Sequence, residues 1–213
     1  MSREKLLQAQ EQSLALFRAI EMEELIRPGI TERELCSDIA RLAEKQFHIL
    51  DHWHKKIVRA GSNTLANYPD NPPDRVIAAD DILFVDLGPI VAGYESDIGR
   101  TYVLGNDPRK IKLKHDTEKA WYEIRDWYRQ QKTIPAAALY RMAVDKAREY
   151  GWTFSGAIAG HILGRFPHEQ PEEPNSLALD IHPDNPDDIF LTDPEGKPRH
   201  WILELQFIDP VHR

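Results

Sequence analysis

Apolar residues recur at helical spacing from the start of the chain. Leu14, Phe17 and Ile20 share one face of a stretch predicted as a helix over residues 4–26, which Arg27-Pro28-Gly29 stops. Thr31-Glu32-Arg33-Glu34 then has the spacing of a capping box, in which the Thr31 hydroxyl accepts from the N3 amide and Glu34 reaches back. The helix it starts places Leu35, Ile39, Leu42 and Ala43 on one side and takes in Cys36, read as a small core residue. A strand over 56–60 and a Gly61-Ser62-Asn63 turn follow. Residues 67–74, with Pro69, Pro72 and Pro73, are predicted as a rigid loop bordering a pocket.

The period then shortens to two. Residues 82–86 and 96–104 read as the arms of a β-hairpin, with Gly88, Pro89 and Gly93 supplying turn chemistry. Helices are predicted over 109–131 and 136–150, the second closed by Gly151 in the left-handed conformation. Trp121 and Trp127 on the first of these mark either packing onto a sheet or a homodimer contact, packing being the simpler account. A strand over 152–159 leads into Gly160-His161. A last strand over 201–208 puts Ile202, Glu204, Gln206 and Ile208 on one face and Leu203, Leu205 and Phe207 on the other. Between them, residues 171–198 are poor in apolar positions and carry Pro174, Pro183, Pro186 and Pro194. That insert reads as disordered or as a lid, the composition favouring disorder. Helices and strands interleave without a glycine-rich phosphate loop, so the expected class is α+β rather than a nucleotide-binding fold.

Three groups of residues carry candidate chemistry. Asp86 and Asp97 stand eleven residues apart, one on each predicted arm of the hairpin. They either cap turns and face water, or face each other and repel unless a divalent metal lies between them. His161 and His168 are separated by Gly164 and Pro167, so they come from a strand end and the loop after it. They read either as surface histidines or as a metal ligand and a hydrogen-bond donor. Glu204 is central in an apolar strand, which is costly unless it faces solvent or finds a partner. Asp180-Ile181-His182 in the insert imitates a ligand pair, although His182-Pro183 reads more simply as a surface turn.

Taken in order, Gly93-Tyr94-Glu95-Ser96-Asp97-Ile98-Gly99-Arg100-Thr101, then Gly160-His161-Ile162-Leu163-Gly164, His168-Glu169 and Glu204 resemble the pita-bread metallopeptidases. That family holds methionine aminopeptidase, aminopeptidase P, prolidase and the non-peptidase creatinase. The resemblance covers residues 57–208. It implies a pita-bread fold, a curved antiparallel sheet with helices on its outer face, spanning 1–213 as one catalytic domain. It also implies two divalent metal ions, with Asp86 binding one through both oxygens, Asp97 bridging, and His161 and Glu204 as further ligands. His168 would touch substrate or the tetrahedral intermediate, and a water activated by the metals would attack an amide carbonyl. Manganese, iron, cobalt and zinc all suit such a donor set, manganese being the expectation carried forward.

The chain departs from the family pattern in three places. No glutamate follows Glu204 to serve as a fifth ligand; Asp209 and His212 are the replacements on offer. Because residues 201–208 would otherwise have an exposed edge, the expectation is that a further strand is missing from the sequence as read. Tyr68 stands eighteen residues before Asp86, where peptidases of the family carry a substrate-binding histidine. Tyrosine can hydrogen-bond an oxyanion but shuttles protons poorly, and His54 is a neighbour that would serve instead. Ile162 replaces a glycine beside the proposed ligand His161, narrowing the pocket.

The resemblance therefore implies an Xaa-Pro or methionine aminopeptidase type of hydrolase acting on a peptide or small amide. The alternatives are a non-peptidase C–N hydrolase and a metal-free binding protein of the same fold. The domain that precedes the catalytic unit in prolidase-type members is not seen, which brings the size nearer to methionine aminopeptidase. A net charge of -8 argues against nucleic acid as main partner. A single cysteine and the lack of an apolar leader or an eighteen-residue apolar run lead to the expectation of a cytoplasmic, non-membrane protein.

Overall fold

The computed structural model describes residues 2–173 and 176–211. Pro174 of the insert and His212, a replacement ligand considered above, lie outside the described residues. The chain forms two compact units, Met1–Ile111 with Arg165–Pro167, and Lys112–Gly164 with His168–Arg213.

In the first unit, α1 (Ser2–Met22) and α2 (Glu32–Phe47) pack on a sheet of β1 (Ile57–Ala60), β2 (Ile82–Leu87) and β5 (Ile98–Val103). Leu16, Ile20, Leu35 and Ile39 from the helices are fully buried with Leu83, Val85 and Leu87 of β2. Strand β2 alternates, and Phe84 and Asp86 take the opposite, half-exposed face. Helix α1 ends four residues earlier than predicted. Glu24 turns into the left-handed region (φ 51°), and the Leu25 and Glu24 amides close back on Ile20 and Glu21. The α2 start is as predicted: the Thr31 hydroxyl accepts from the Glu34 amide at 3.1 Å, and the Glu34 carboxylate accepts from the Thr31 amide at 2.8 Å. Cys36 is only half-buried, at the margin of this core. The predicted turn after β1 is a 3-10 turn over Gly61–Leu65.

The predicted hairpin is a pair of nested hairpins. β2 is central and antiparallel to both β1 and β5, with Asp86 opposite Ile57 and Gly99. Inside it, β3 (Ile90–Val91) and β4 (Tyr94–Glu95) pair across a two-residue turn, Ala92-Gly93, both at positive φ (50° and 77°). Strand β5 starts at Ile98, so Asp97 lies just ahead of the strand rather than on it.

The second unit holds most of α3 (Pro108–Tyr128), all of α4 (Ala136–Glu149) and two short antiparallel pairs. These are β6 (Thr153–Phe154) with β9 (Phe207–Ile208), and β7 (Ile162–Leu163) with β8 (His200–Trp201). Trp121 donates its indole N–H to the Leu203 carbonyl at 2.8 Å and Trp127 packs on the core, so packing accounts for both tryptophans.

The two long strands predicted here do not form. Residues 155–161 and 202–206 still run beside each other, with the Ile202 and Glu204 amides donating to the His161 and Ala159 carbonyls. The ladder breaks because the Ala159 amide donates instead to Ile181, whose own amide returns to Gly160. Gly160 is held at φ 133° with its backbone against Ile202; a Cβ there would lie 1.9 Å from the Ile202 oxygen. The core-facing half of the alternation holds, since Phe207 is buried and Leu203 and Leu205 pack on the unit's core.

The described part of the insert is packed, not disordered. Leu179, Ile181 and Ile189 are buried, and the buried Asn185 amide donates to the Leu177 and Asp180 carbonyls. Three buried apolar side chains, spaced among prolines and aspartates, are joined by the hydrogen bonds of Asn185 and Asp188 in holding the segment. No helix among the described residues is long and apolar enough to cross a membrane.

Candidate metal centre

In the first unit the β2–β5 ladder brings Asp86 and Asp97 to the same place, although eleven residues separate them. Between them stands His54. Its side chain is 5% exposed, and its Nε2 lies 3.8 Å from Asp86 Oδ1 and 3.7 Å from Asp97 Oδ2. One donor atom from each of the three residues falls within 4.8 Å of the others. His54 Nδ1 is 2.7 Å from the Lys55 carbonyl oxygen, which only accepts, so Nδ1 carries a proton and Nε2 faces the carboxylates. Burial disfavours the imidazolium, but the Asp97 and Asp86 carboxylates outweigh it and raise the His54 pKa above its ordinary value.

The segment carrying His54 is stitched to the hairpin. The Trp53 amide donates to Gly88 O at 2.9 Å, the Trp53 indole donates to Ser96 O at 2.9 Å, and His52 bridges to Pro89. The Trp53 and His54 rings meet edge to face at 4.6 Å. Gly88 makes room for this: a Cβ there would lie 2.2 Å from His54 Cδ2. His52 is a different kind of histidine. Both its ring nitrogens are buried without a hydrogen bond, and burial, followed by the Lys56 and His54 charges, lowers its pKa to about 4.

Tyr68 sits on the loop after the 3-10 turn and is 54% exposed. Its ring lies 6.4 Å from that of His54, and Lys55 Nζ stands 4.8 Å from its centroid. The buried Arg59 guanidinium holds this loop by donating to the Ala66, Asn67 and Asp70 carbonyls.

In the second unit, His161 and Glu204 each offer a donor atom within 4.8 Å of the other. His161 Nδ1 lies 2.8 Å from the Ile162 carbonyl oxygen, which only accepts, so Nδ1 carries a proton. The His168 ring stacks against that of His161 with centroids 6.4 Å apart. Glu169 fixes the loop that bears His168 by accepting two bonds from the Arg199 fork, 2.9 Å from Nε and 2.5 Å from Nη2. Asp180 bridges to His161 through the backbone. Its pKa is raised by burial against the lowering charges of His161, His182 and His168. His182 accepts from the Asp184 amide at 3.1 Å, the surface turn expected of His182-Pro183.

Within each unit, then, predicted residues come together: Asp86 with Asp97, and His161 with Glu204 and His168. Sequence reasoning missed the place of His54, which it offered only as a stand-in for the histidine lost at Tyr68. The available signal was Gly88, two residues after Asp86, where a close approach had to be accommodated.

The donor sets suit a divalent ion. Two carboxylates held this close disfavour each other's charged form, and two carboxylates with imidazole match borderline first-row metals.

The chain is similar to known proteins. A sequence model of Metallopeptidase family M24 matches residues 4–191. An Xaa-Pro dipeptidase of Lactobacillus helveticus is 30% identical over 167 residues, 73% of this chain and 42% of that protein. A methionine aminopeptidase of Aquifex aeolicus is 29% identical over 117 residues, 53% of this chain and 43% of that protein. Among solved structures, a recombinant prolidase from Thermococcus sibiricus superposes with a TM-score of 0.72 at 25% identity, covering 95% of this chain and 54% of that one. The chain spans about half the length, or less, of these relatives.

Proposed function

The chain belongs to metallopeptidase family M24 and has its pita-bread fold; on that premise we propose that it forms a metal-dependent hydrolase of peptides or small amides. The observation that carries this reading is the meeting of Asp86 and Asp97, with His54, at one end of the β2–β5 ladder. We assign Asp86 and Asp97 in the first unit, and His161 and Glu204 in the second, each as ligands of a divalent ion drawn from manganese, iron, cobalt and zinc. The order of the motifs supports that assignment. When bound, such ions polarise a carbonyl and lower the pKa of water.

The chain's own residues do the rest. The Asp86 and Asp97 carboxylates are the acidic groups of the first unit's site. His168 donates a hydrogen bond to the oxygen that gains charge as the amide carbon becomes tetrahedral. Glu169 and Arg199 hold the loop so that this donor is in place beforehand. Tyr68 offers a hydroxyl at an exposed rim.

Xaa-Pro peptides and peptides with N-terminal methionine are the first substrates to try, since the relatives carry those names. The tyrosine at position 68 favours a second reading, a non-peptidase hydrolase of another C–N bond. A panel of Xaa-Pro dipeptides, methionyl peptides and small amides, assayed after loading with each metal, separates the two. His168→Ala should retain its metal and lose at least about 100-fold in rate, the scale on which donors to a developing oxyanion act. Loss of metal from that variant would instead make His168 a ligand.

A further inference from the structure

We infer that His54 is itself a metal ligand, joining Asp86 and Asp97 through its Nε2. This rests on the metal-dependent reading above, and it adds a donor that lies outside the motifs from which that reading was drawn.

Four observations carry it. First, the His54 side chain is 95% buried and its Nε2 makes no hydrogen bond, so a polar atom has been taken out of water without a protein partner. Second, that nitrogen is aimed at two carboxylate oxygens, 3.8 Å and 3.7 Å away. A charged imidazole bonded to either would draw in to about 2.7–2.9 Å. Donor atoms sharing one cation with bonds of about 2.0–2.2 Å instead stand roughly 3–4 Å apart.

Third, the ring is oriented as a ligating histidine is. Nδ1–H points at the Lys55 carbonyl oxygen at 2.7 Å, the kind of outer bond that fixes the tautomer and makes Nε2 the better donor. Fourth, the backbone is built around this placement. Trp53 is tied to Gly88 and Ser96, on both sides of the inner hairpin, and Gly88 leaves the space that the imidazole fills.

The competing role is that of counter-charge: His54 would carry a proton between the two aspartates and give way when a metal enters. The two roles predict opposite signs. Removing a ligand weakens metal binding, whereas removing a competing cation strengthens it.

Cobalt(II) titration of the metal-free protein distinguishes them, followed by calorimetry and by visible and near-ultraviolet absorption. His54→Ala is expected to bind cobalt at least 10-fold more weakly, with unchanged circular dichroism. His54→Gln, close to histidine in size and a poor cobalt ligand, is expected to bind cobalt more weakly in the same way. Unchanged or tighter binding by His54→Ala overturns the assignment while leaving the metal site standing. Should the alanine variant fail to fold, the glutamine variant decides by the same titration, weaker binding supporting the assignment and unchanged or tighter binding overturning it. A wild-type protein that takes up no cobalt overturns the metal reading itself and the His54 assignment with it.

Discussion

The two units hold their candidate ligands by different means. In the first, Asp86 lies within a six-residue strand paired on both sides, and Asp97 immediately precedes the strand opposite. In the second, His161 and Glu204 lie outside the two-residue strands near them. Their backbone is set by bonds of residues 159–161 to Ile181 and to residues 202–204. A ladder distributes the task over many equivalent bonds, so no single residue decides where a carboxylate points. An irregular crossing concentrates it on a few residues, here Gly160 and Ile181. The same kind of donor therefore has a robust support in one unit and a fragile one in the other.

The contrast is sharpest at Ile181. Its side chain is 1% exposed in the second unit's core, and its backbone accepts from Ala159 and donates to Gly160. Ile181→Ala should cost about 2–5 kcal/mol in denaturant unfolding, as buried truncations do. It should also disturb the His161 and Glu204 resonances in nuclear magnetic resonance spectra. Leu83→Ala, an equally buried residue of β2, should cost a similar amount while leaving the Asp86–Asp97 pairing in register. Equal disturbance of both sites by both variants would erase the distinction.

Two glycines test the same point at smaller amplitude. Gly160→Ala meets the Ile202 carbonyl and a positive φ together, and should destabilise by about 3 kcal/mol or more. Gly93→Ala keeps only the left-handed backbone, with nothing within 4 Å of the new Cβ, and should cost about 1–2 kcal/mol. Thermal melts of the two variants side by side measure the difference.

The smallest effect concerns acid. The insert residue Asp188 accepts from Thr133 Oγ1, Phe190 N and Ile134 N, and these bonds outweigh burial to hold its pKa below the ordinary carboxylate value. A depressed folded pKa stabilises above the unfolded value, about 3.9, and that contribution is lost as pH falls through the folded value. Melting midpoints from pH 6 to pH 2 should therefore show wild type above Asp188→Asn at the upper end. The gap should close only below about pH 4. A gap independent of pH would mean that the carboxylate's charge plays no part in docking the insert.

The same contrast explains what could be read from the chain. The Thr31–Glu34 cap is local chemistry, complete within four residues, and it forms as its spacing requires. The Asp86 and Asp97 arms were legible because period-two patterning persists along β2, although the inner hairpin pushed Asp97 off its strand. Strands over 152–159 and 201–208 were not legible. Their apolar pattern is real, but the ladder is interrupted by a distant residue, Ile181, claiming the Ala159 amide. Composition suggests disorder in the insert because it averages over Leu179, Ile181 and Ile189, which are buried, and over Asn185 and Asp188, whose hydrogen bonds help to hold it. His54 is legible only as a stand-in for the histidine missing at Tyr68, for a related reason. What makes it part of the site is the contact of residues 52–54 with the hairpin, which no local pattern announces.

The central claim, that Asp97 holds metal at the end of this ladder, is met most directly by elemental analysis. The chain would be purified without chelator beside Asp97→Asn, with circular dichroism to confirm that both fold. The account predicts between one and two equivalents of a first-row transition metal in the wild type and loss of that metal from the variant. Equal metal content in the two proteins, or none in the wild type after reconstitution with manganese, cobalt and zinc, would contradict it.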